Sequence, residues 1–246
     1  IANRWKEYCE ELYNYNLTCD KDLLEKLRSI SATTEDEDPP ILTSEIEAAI
    51  EGLKEGKSPG IDNVPAELLK NGGPITVAAY TKLCNEVWTS GVWPATWTQS
   101  VIIPLPKKGN LKSCNNYRTI SLISHPSKIL LRVILNRLRP QAERIIAEEQ
   151  AGFRRGRSTA EQIFNLRMLS EKFRTDQKPL FHNFIDFKKA FDRVWQEGMC
   201  AIMRMFNISK GIVNAIEALY KASKSAVLLG DEISDWFSTR VGVRQG

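Results

Sequence analysis

The chain has 246 residues, of which 42% are hydrophobic and 26% are charged, with a net charge of +4; this is the composition of an ordinary globular protein. It contains no apolar run of about 18 residues, which excludes a membrane-spanning helix. The five cysteines are scattered, odd in number and without zinc-ligand spacing, which indicates an intracellular protein, nuclear or cytoplasmic. The first residues form neither a signal peptide nor an initiator methionine, so we expect a fragment of a longer protein.

The charge is distributed unevenly along the chain. Residues 1–56 contain 6 Lys and Arg against 14 Asp and Glu, a net charge of −8, whereas residues 57–246 contain 28 against 16, a net charge of +12. This asymmetry favours a polyanionic partner for the larger, basic part and a separate acidic flank at the amino terminus.

The amino-terminal part is predicted to be helical. Trp5, Tyr8 and Leu12 recur at helical spacing and indicate the first of two short helices within residues 5–30. Residues 33–40 are acidic and lack aliphatic and aromatic side chains apart from two prolines, so they predict a solvated linker and the clearest domain boundary. Beyond the linker, apolar periodicity predicts helices at residues 43–53, 65–70 and 77–88.

The remaining elements alternate between strands and helices. Strands at residues 100–106 and 117–123 could pair as a hairpin with a basic tip, and helices follow at 126–146 and 159–173. A strand at 179–185, helices at 189–205 and 212–220, and a strand pair near 226–229 and 236–243 complete the chain. This order predicts an α+β fold with a small antiparallel sheet, and not the βαβ alternation of a Rossmann fold.

One carboxylate stands where the pattern changes from extended to helical. Residues 179–185 form an apolar run that predicts a buried strand, and Asp186 follows it directly. An unpaired carboxylate at such a position is poorly solvated, and a divalent cation such as Mg²⁺ would stabilise it through oxygen ligation. Alternatively, Asp186 caps the helix that follows, a position that Asp favours. Spacing alone leaves both interpretations open.

Three other polar segments accompany this carboxylate. They are a basic turn that leads into a strand, an arginine-rich loop with two glycines, and the carboxy-terminal end of the chain. Each also has a plain structural interpretation: a solvated hairpin tip, a loop before a capped helix, and an end residue without a role. Their polar residues are Lys107, Lys108, Arg118, Arg154, Arg155, Arg157 and Gln245.

Taken together and in this order, the four segments resemble the reverse transcriptases of non-LTR (LINE-type) retrotransposons. The resemblance extends from about residue 42 to 246, and the block at residues 58–62 is similar to one that these enzymes carry before their fingers. It implies a right-hand polymerase fold, with a fingers-like region at 41–175 and a partial palm at 176–246; the acidic helical flank and linker at residues 1–40 precede it. The implied reaction is RNA-templated DNA synthesis, in which a primer 3′-hydroxyl attacks a dNTP.

The resemblance also implies roles for residues of the palm-like segment. Asp186 matches the first metal-binding aspartate, and the backbone carbonyl of Phe187 would be a further ligand of Mg²⁺ or Mn²⁺. Two such ions activate the nucleophile and stabilise the leaving group in phosphoryl transfer. Phe191 matches the bulky residue that leaves no room for a 2′-hydroxyl on the incoming sugar. Asp192 we interpret as a structural residue.

The basic residues match groups that contact the nucleotide and the template. Arg118 matches the arginine that lies on the incoming base and reaches its phosphate, a role suited to a planar, forked cation. Lys107 or Lys108 would meet the terminal phosphates, and the sequence does not choose between them. Gln245 matches the glutamine near the nucleotide sugar. Three arginines would lie along the template backbone, where contacts are independent of base sequence; they are Arg154, Arg155 and Arg157.

Two elements of the family pattern are missing from this sequence. No Asp-Asp pair occurs, although the family's second catalytic carboxylate lies in an aromatic-Ala-Asp-Asp turn, and no thumb follows. We therefore expect the palm to be incomplete and this chain by itself not to extend a primer. An alternative is a non-catalytic nucleic-acid-binding remnant of a mobile element; a helical interaction protein built on residues 5–30 explains less of the sequence.

Overall fold

The computed structural model describes residues 1–15, 21–29 and 38–244. Short 3₁₀ turns occupy Cys114–Asn116 and Phe191–Arg193. The strands are β1 (Gln99–Pro106), β2 (Tyr117–Ile123), β3 (Lys224–Leu229), β4 (Glu232–Ile233) and β5 (Phe237–Ser238). The helices are α1 (Ala2–Tyr13), α2 (Lys21–Ser29), α3 (Thr43–Glu51), α4 (Ala66–Lys70), α5 (Gly73–Ser90), α6 (Ala95–Thr98), α7 (His125–Glu143), α8 (Thr159–Thr175), α9 (Gln196–Met205) and α10 (Lys210–Lys221).

The chain forms two compact units. The first unit consists of Ile1–Leu138 and Lys189–Gly246, and the second of Arg139–Lys188. Their bounds differ from those of the predicted flank, fingers-like region and partial palm, so those functional divisions stay a prediction. None of the described helices is long and apolar enough to cross a membrane.

A small mixed sheet lies in the first unit, with strand order β2-β1-β3-β4 and β5 paired with β3. The predicted hairpin is confirmed, because β1 and β2 pair antiparallel from Ser100↔Ile123 to Pro106↔Tyr117. The prediction of an antiparallel sheet is wrong for its centre, where β1 and β3 are parallel. The two parallel strands are separated by residues 107–223, nearly half of the chain, which include several helices, and a long crossover of this kind permits parallel pairing. The fold is therefore mixed α/β with a small sheet.

Helix α1 packs onto this sheet. Trp5, Cys9 and Tyr13 form one buried cluster with Ile102, Val227 and Phe237. Burial of one such side chain contributes about 1.5–3 kcal/mol. The acidic residues of α1 are exposed, so the negative charge of the segment does not oppose its packing. The described part of the amino-terminal segment thus contributes to the core of the first unit.

The block at residues 58–62 packs tightly against the start of α7. Gly60 is buried there, and a Cβ atom on it would lie 2.4 Å from the backbone nitrogen of Ser124, so only glycine fits without a shift of backbone. Two residues further on, Asp62 accepts a hydrogen bond of 2.5 Å from the Ser124 hydroxyl. These two contacts explain why glycine occupies position 60 and aspartate occupies position 62.

Most of the remaining sequence predictions hold for the described residues, with two exceptions between residues 179 and 205; most of the predicted linker at 33–40 lies outside the described residues. The helices expected near residues 126–146, 159–173 and 212–220 are confirmed as α7, α8 and α10. The buried strand expected at 179–185 is wrong: the segment is irregular, and Phe181 and Phe184 are 89% and 81% exposed. A strand needs a pairing partner, and the second unit contains no strand with which residues 179–185 could pair. The helix expected from residue 189 begins only at Gln196.

Candidate functional site

A cavity of about 180 Å³ in the first unit brings three segments together. They are helix α1, the loop end of the β1–β2 hairpin, and the residues around the 3₁₀ turn that follows Lys189. Three cationic side chains converge on the cavity, two of them from the hairpin and one from the turn. The lining residues are Tyr8, Leu12, Lys107, Tyr117, Arg118, Thr119, Lys189, Ala190, Phe191 and Asp192.

The hairpin holds its two cations at the end of regular pairing. Leu105 is the register partner of Arg118, and the Lys107 N–H donates to the Asn116 carbonyl at 2.7 Å. Arg118 alternates along β2 with the buried Thr119, so its side chain is exposed. It makes no ion pair within the described residues. Such a guanidinium is available to an anionic ligand.

Lys189 supplies the third cation and escaped the sequence analysis. Its Nζ donates to the Tyr8 hydroxyl at 2.5 Å and lies 4.8 Å from the centroid of the Tyr8 ring. Burial lowers the pKa of Lys189, and burial raises the pKa of Tyr8 to about 12. The sequence gives no local signal for this pair, because α1 and Lys189 meet only through the tertiary fold.

Asp192 also lines the cavity, and its side chain is held by contacts within the fold. It is buried, and the Tyr13 hydroxyl donates to its Oδ1 at 3.3 Å. The same hydroxyl lies 3.0 Å from Thr119 Oγ1, which must then be the donor of that bond. Behind it, Gly242 has φ +83°, and a Cβ atom there would lie 2.7 Å from the Asp192 carbonyl oxygen. These contacts agree with the interpretation of Asp192 as a structural residue.

Three of the predicted nucleotide-binding residues therefore lie around one cavity: Lys107, Arg118 and Phe191. Phe191 is 46% exposed, and its backbone carbonyl accepts a hydrogen bond from the Val243 N–H at 2.8 Å. Lys108 lies in the exposed turn next to Lys107. Gln245 lies outside the described residues.

The predicted metal ligands belong to the second unit. Asp186 and Phe187 lie in an exposed, irregular segment, and not at the end of a buried strand. Among the residues that the structure describes, no three His, Cys, Asp or Glu side chains are grouped as a metal site requires. One exposed carboxylate is not a complete ligand set for two divalent ions, so the described residues do not form a metal centre by themselves.

The three predicted template-binding arginines have different environments in the second unit. Arg154 donates to Glu143 at 3.1 Å and to the Ala147 carbonyl at 3.0 Å, and its side chain is 11% exposed. Arg157 pairs with Glu148 and lies 3.4 Å from Glu161. Arg155 is exposed and makes no ion pair in the described part of the chain. Of the three, only Arg155 has a guanidinium without an internal partner.

Comparison with known proteins identifies the class. The family model for reverse transcriptase (RNA-dependent DNA polymerase) matches residues 105–246, which is more than half of the chain and includes both the basic hairpin and Asp186. The chain belongs to the reverse transcriptase family.

Individual relatives are proteins of transposable elements, and those from transposon BS and mobile element jockey are named as RNA-directed DNA polymerases. The chain is 38% identical over 164 residues to a probable RNA-directed DNA polymerase from transposon BS of Drosophila melanogaster, covering 65% of this chain and 18% of that protein. It is 28% identical over 214 residues to the RNA-directed DNA polymerase from mobile element jockey of Drosophila funebris, covering 84% and 23%. A protein of transposon TX1 from Xenopus laevis is 26% identical over 207 residues, covering 84% and 16%. The chain thus spans about a fifth of the length of these relatives.

Proposed function

We propose that this chain is part of an RNA-directed DNA polymerase of a non-LTR retrotransposon, which joins a dNTP to a primer 3′-hydroxyl under the direction of an RNA template. The observation that carries the proposal is the convergence of Lys107, Arg118 and Phe191 on one cavity. In this proposal residues 41–175 are the fingers-like region, and residues 176–246 are part of the palm.

The cations of the cavity suit a triphosphate. Arg118 offers a planar fork that can contact a base with its face and a phosphate with its N–H groups, and it has no competing ion pair among the described residues. We propose Lys107 rather than Lys108 for the terminal phosphates, because Lys107 lines the cavity. Lys189 adds a third positive charge, and a charge-assisted hydrogen bond is roughly twice as strong as a neutral one.

Phe191 is proposed to select the sugar. Its ring is half-exposed in the wall of the cavity, where it offers contact to an apolar sugar face and no hydrogen-bonding group for a 2′-hydroxyl. A ribonucleotide would then have to desolvate that hydroxyl without compensation, which costs about 1–3 kcal/mol. Gln245 stays a predicted neighbour of the same sugar.

The proposed metal ligands and template contacts lie outside the cavity, in the second unit. We keep Asp186 and the Phe187 carbonyl as predicted ligands of Mg²⁺ or Mn²⁺; the described residues bring no second carboxylate to them, so no chemical step is assigned to the metal. Among the arginines, Arg155 is the strongest candidate for the template backbone, because Arg154 and Arg157 are engaged within their own unit.

Nucleotide binding to the chain itself tests this proposal. We expect a fluorescent dNTP to bind, the corresponding rNTP to bind more weakly, and Arg118→Ala to weaken dNTP binding by about tenfold, the effect of losing a hydrogen bond to a charged group. Arg240→Ala removes an exposed arginine of the same unit and should leave binding unchanged. Equal affinity of wild type and Arg118→Ala would exclude the proposed nucleotide site.

A second candidate is a non-catalytic nucleic-acid-binding protein. It is favoured by Arg118 and Arg155, which are exposed and make no ion pair within the described residues, because binding alone needs such cations and no metal ligand. Primer extension on an RNA template separates the two functions. We expect no extension by residues 1–246 alone and metal-dependent extension by the longest protein that contains them. Failure of that longer protein, in the presence of Mg²⁺ or Mn²⁺, would favour the binding protein.

A further inference from the structure

A second and larger cavity in the first unit has no role in the proposed nucleotide site. Its volume is about 480 Å³, and it lies between the loop after α3, the end of β2 and the first turns of α7. We call it the α3–α7 groove. It is lined by four cations, Lys54, Lys57, Lys128 and Arg132, together with His125 and aliphatic side chains.

The four cations of the groove are not neutralised internally. Within the part of the chain that the structure describes, none of them makes an ion pair, and Lys54, Lys57 and Arg132 are exposed. None of the lining residues is a carboxylate. Nearby, Glu55 pairs with Lys70 at 2.9 Å, whereas Glu67 accepts from the Gly56 N–H at 2.6 Å and is close enough to interact electrostatically with His125. The lining of the groove is therefore positively charged.

The floor of the groove is polar and preorganised. His125 is 2% exposed, and its Nδ1 lies 3.0 Å from the Val64 carbonyl oxygen. A carbonyl can only accept, so Nδ1 carries the proton of that hydrogen bond. The other ring nitrogen, Nε2, is buried and has no hydrogen-bond partner among the described residues. Lys128, which lines the same groove, is partly buried, and this burial lowers its pKa.

The spacing of the charges fits a strand better than a single phosphate. Lys128 and Arg132 are one helical turn apart, so their Cβ atoms are separated by about 5–6 Å, and two more cations stand across the cavity on the loop. Leu131 and Leu135 of the same helix, α7, also line the groove, and they offer apolar contact to sugar and base faces. A free phosphate ion would use neither the second pair of cations nor the aliphatic surface.

We propose that the α3–α7 groove binds the phosphodiester backbone of a single-stranded RNA. That the strand is RNA rests on the proposed function, whereas the phosphate chemistry rests on the groove itself. Contacts of this kind are independent of base sequence and depend strongly on salt.

The test is the binding of a short fluorescent single-stranded RNA to the intact chain, measured by anisotropy over a series of salt concentrations. The variant Lys54→Glu/Lys57→Glu changes two exposed side chains of the groove. Its matched control, Lys82→Glu/Lys210→Glu, makes the same charge change at exposed positions outside the groove. We expect the groove variant to bind about tenfold more weakly and to lower the slope of log K against log salt by about 1.4, or 0.7 for each lost phosphate contact.

Additional variants and competitors distinguish the possible ligands of the groove, and they distinguish the groove proposal from the proposed nucleotide site. Lys128→Gln should weaken RNA binding in the same direction, while all groove variants should keep wild-type affinity for the dNTP. Loss of RNA binding with normal dNTP binding supports the groove, and absence of dNTP binding in the wild type would refute only the nucleotide site. The groove proposal fails if the groove variant and its control bind RNA within twofold of each other, or if inorganic phosphate or a dNTP displaces the RNA at micromolar concentration.

Discussion

The two compact units differ in what holds their residues in place. In the first unit, an amino-terminal helix, a hairpin and a late strand share one buried cluster, and the cavity residues are fixed by contacts distant in sequence. In the second unit, α8 has no buried residue, and the apolar residues near Asp186 are exposed. The candidate residues of the first unit are therefore oriented by long-range packing. Asp186, in the second unit, lies in an exposed, irregular segment, so no such packing orients its side chain.

The largest expected difference between the units concerns two phenylalanines. Phe237 is 4% exposed in the core of the first unit, whereas Phe181 in the second is 89% exposed. We expect Phe237→Ala to lower the free energy of unfolding by about 3–5 kcal/mol and Phe181→Ala to change it by less than about 0.5 kcal/mol. Urea denaturation measures both. If Phe181→Ala lowers the free energy of unfolding by several kcal/mol, as large-to-small changes in a core do, its ring is buried in solution and the two units do not differ in this respect.

A second difference concerns two glycines. Gly60→Ala forces a methyl group onto the backbone of Ser124, whereas a Cβ on Gly152 would only touch Gln150 at 3.5 Å. Overpacking of this kind costs about 1–3 kcal/mol or more, so Gly60→Ala should lower the melting temperature by several degrees, as is usual for a domain of this size. Gly152→Ala serves as the control and should melt like the wild type. Equal melting of the two variants would mean that the loop at residues 58–62 can move away from α7.

The third prediction tests the Tyr13 hydroxyl, which joins α1 to two residues that line the proposed nucleotide cavity. Tyr13→Phe leaves Thr119 and the buried Asp192 each without one hydrogen-bond partner, which should cost about 1–3 kcal/mol of unfolding free energy. Tyr80 is a matched control, because its hydroxyl makes no hydrogen bond within the described residues; Tyr80→Phe should cost little. If Tyr13→Phe is as stable as Tyr80→Phe, α1 is held by apolar packing alone.

The smallest effect is a pH dependence within the first unit. Arg137 forks onto Glu45 with bonds of 2.7 and 2.6 Å, and these hydrogen bonds hold the pKa of Glu45 below its ordinary value. A carboxyl with a lowered folded-state pKa stabilises the fold above its unfolded pKa, and that contribution is lost as the pH falls through the folded value.

The unfolding free energy of wild type should therefore exceed that of Glu45→Gln near neutral pH by roughly 1 kcal/mol, the upper end for a pair that is partly exposed. The difference should shrink as the solution is acidified below the ordinary pKa of Glu. Chemical denaturation at a series of pH values measures it. A difference that stays constant across this range would assign the effect to packing and not to the charge of Glu45.

Local sequence signals were sufficient for most of the secondary structure. The apolar and β-branched residues of 100–106 and 117–123, on either side of a basic turn, predicted the hairpin, and helical periodicity predicted α7, α8 and α10, because both signals depend on neighbours close in sequence. The candidate residues Lys107, Arg118 and Phe191 were identified by a different route, the resemblance of four segments, taken in their order, to reverse transcriptases. The strand at residues 179–185 was wrong, since apolar content alone cannot provide a pairing partner.

The sequence by itself determined the class of protein and the chemistry of its conspicuous residues: a basic hairpin, an aromatic residue near a carboxylate, and an arginine-rich loop. Only the tertiary structure decided that β1 and β3 are parallel, that Tyr8 and Lys189 share the wall of the proposed nucleotide cavity, and that four cations meet in the α3–α7 groove. The physical reason is that periodicity reports which face of an element is apolar, whereas the partner of that face is selected by packing between segments far apart in the chain.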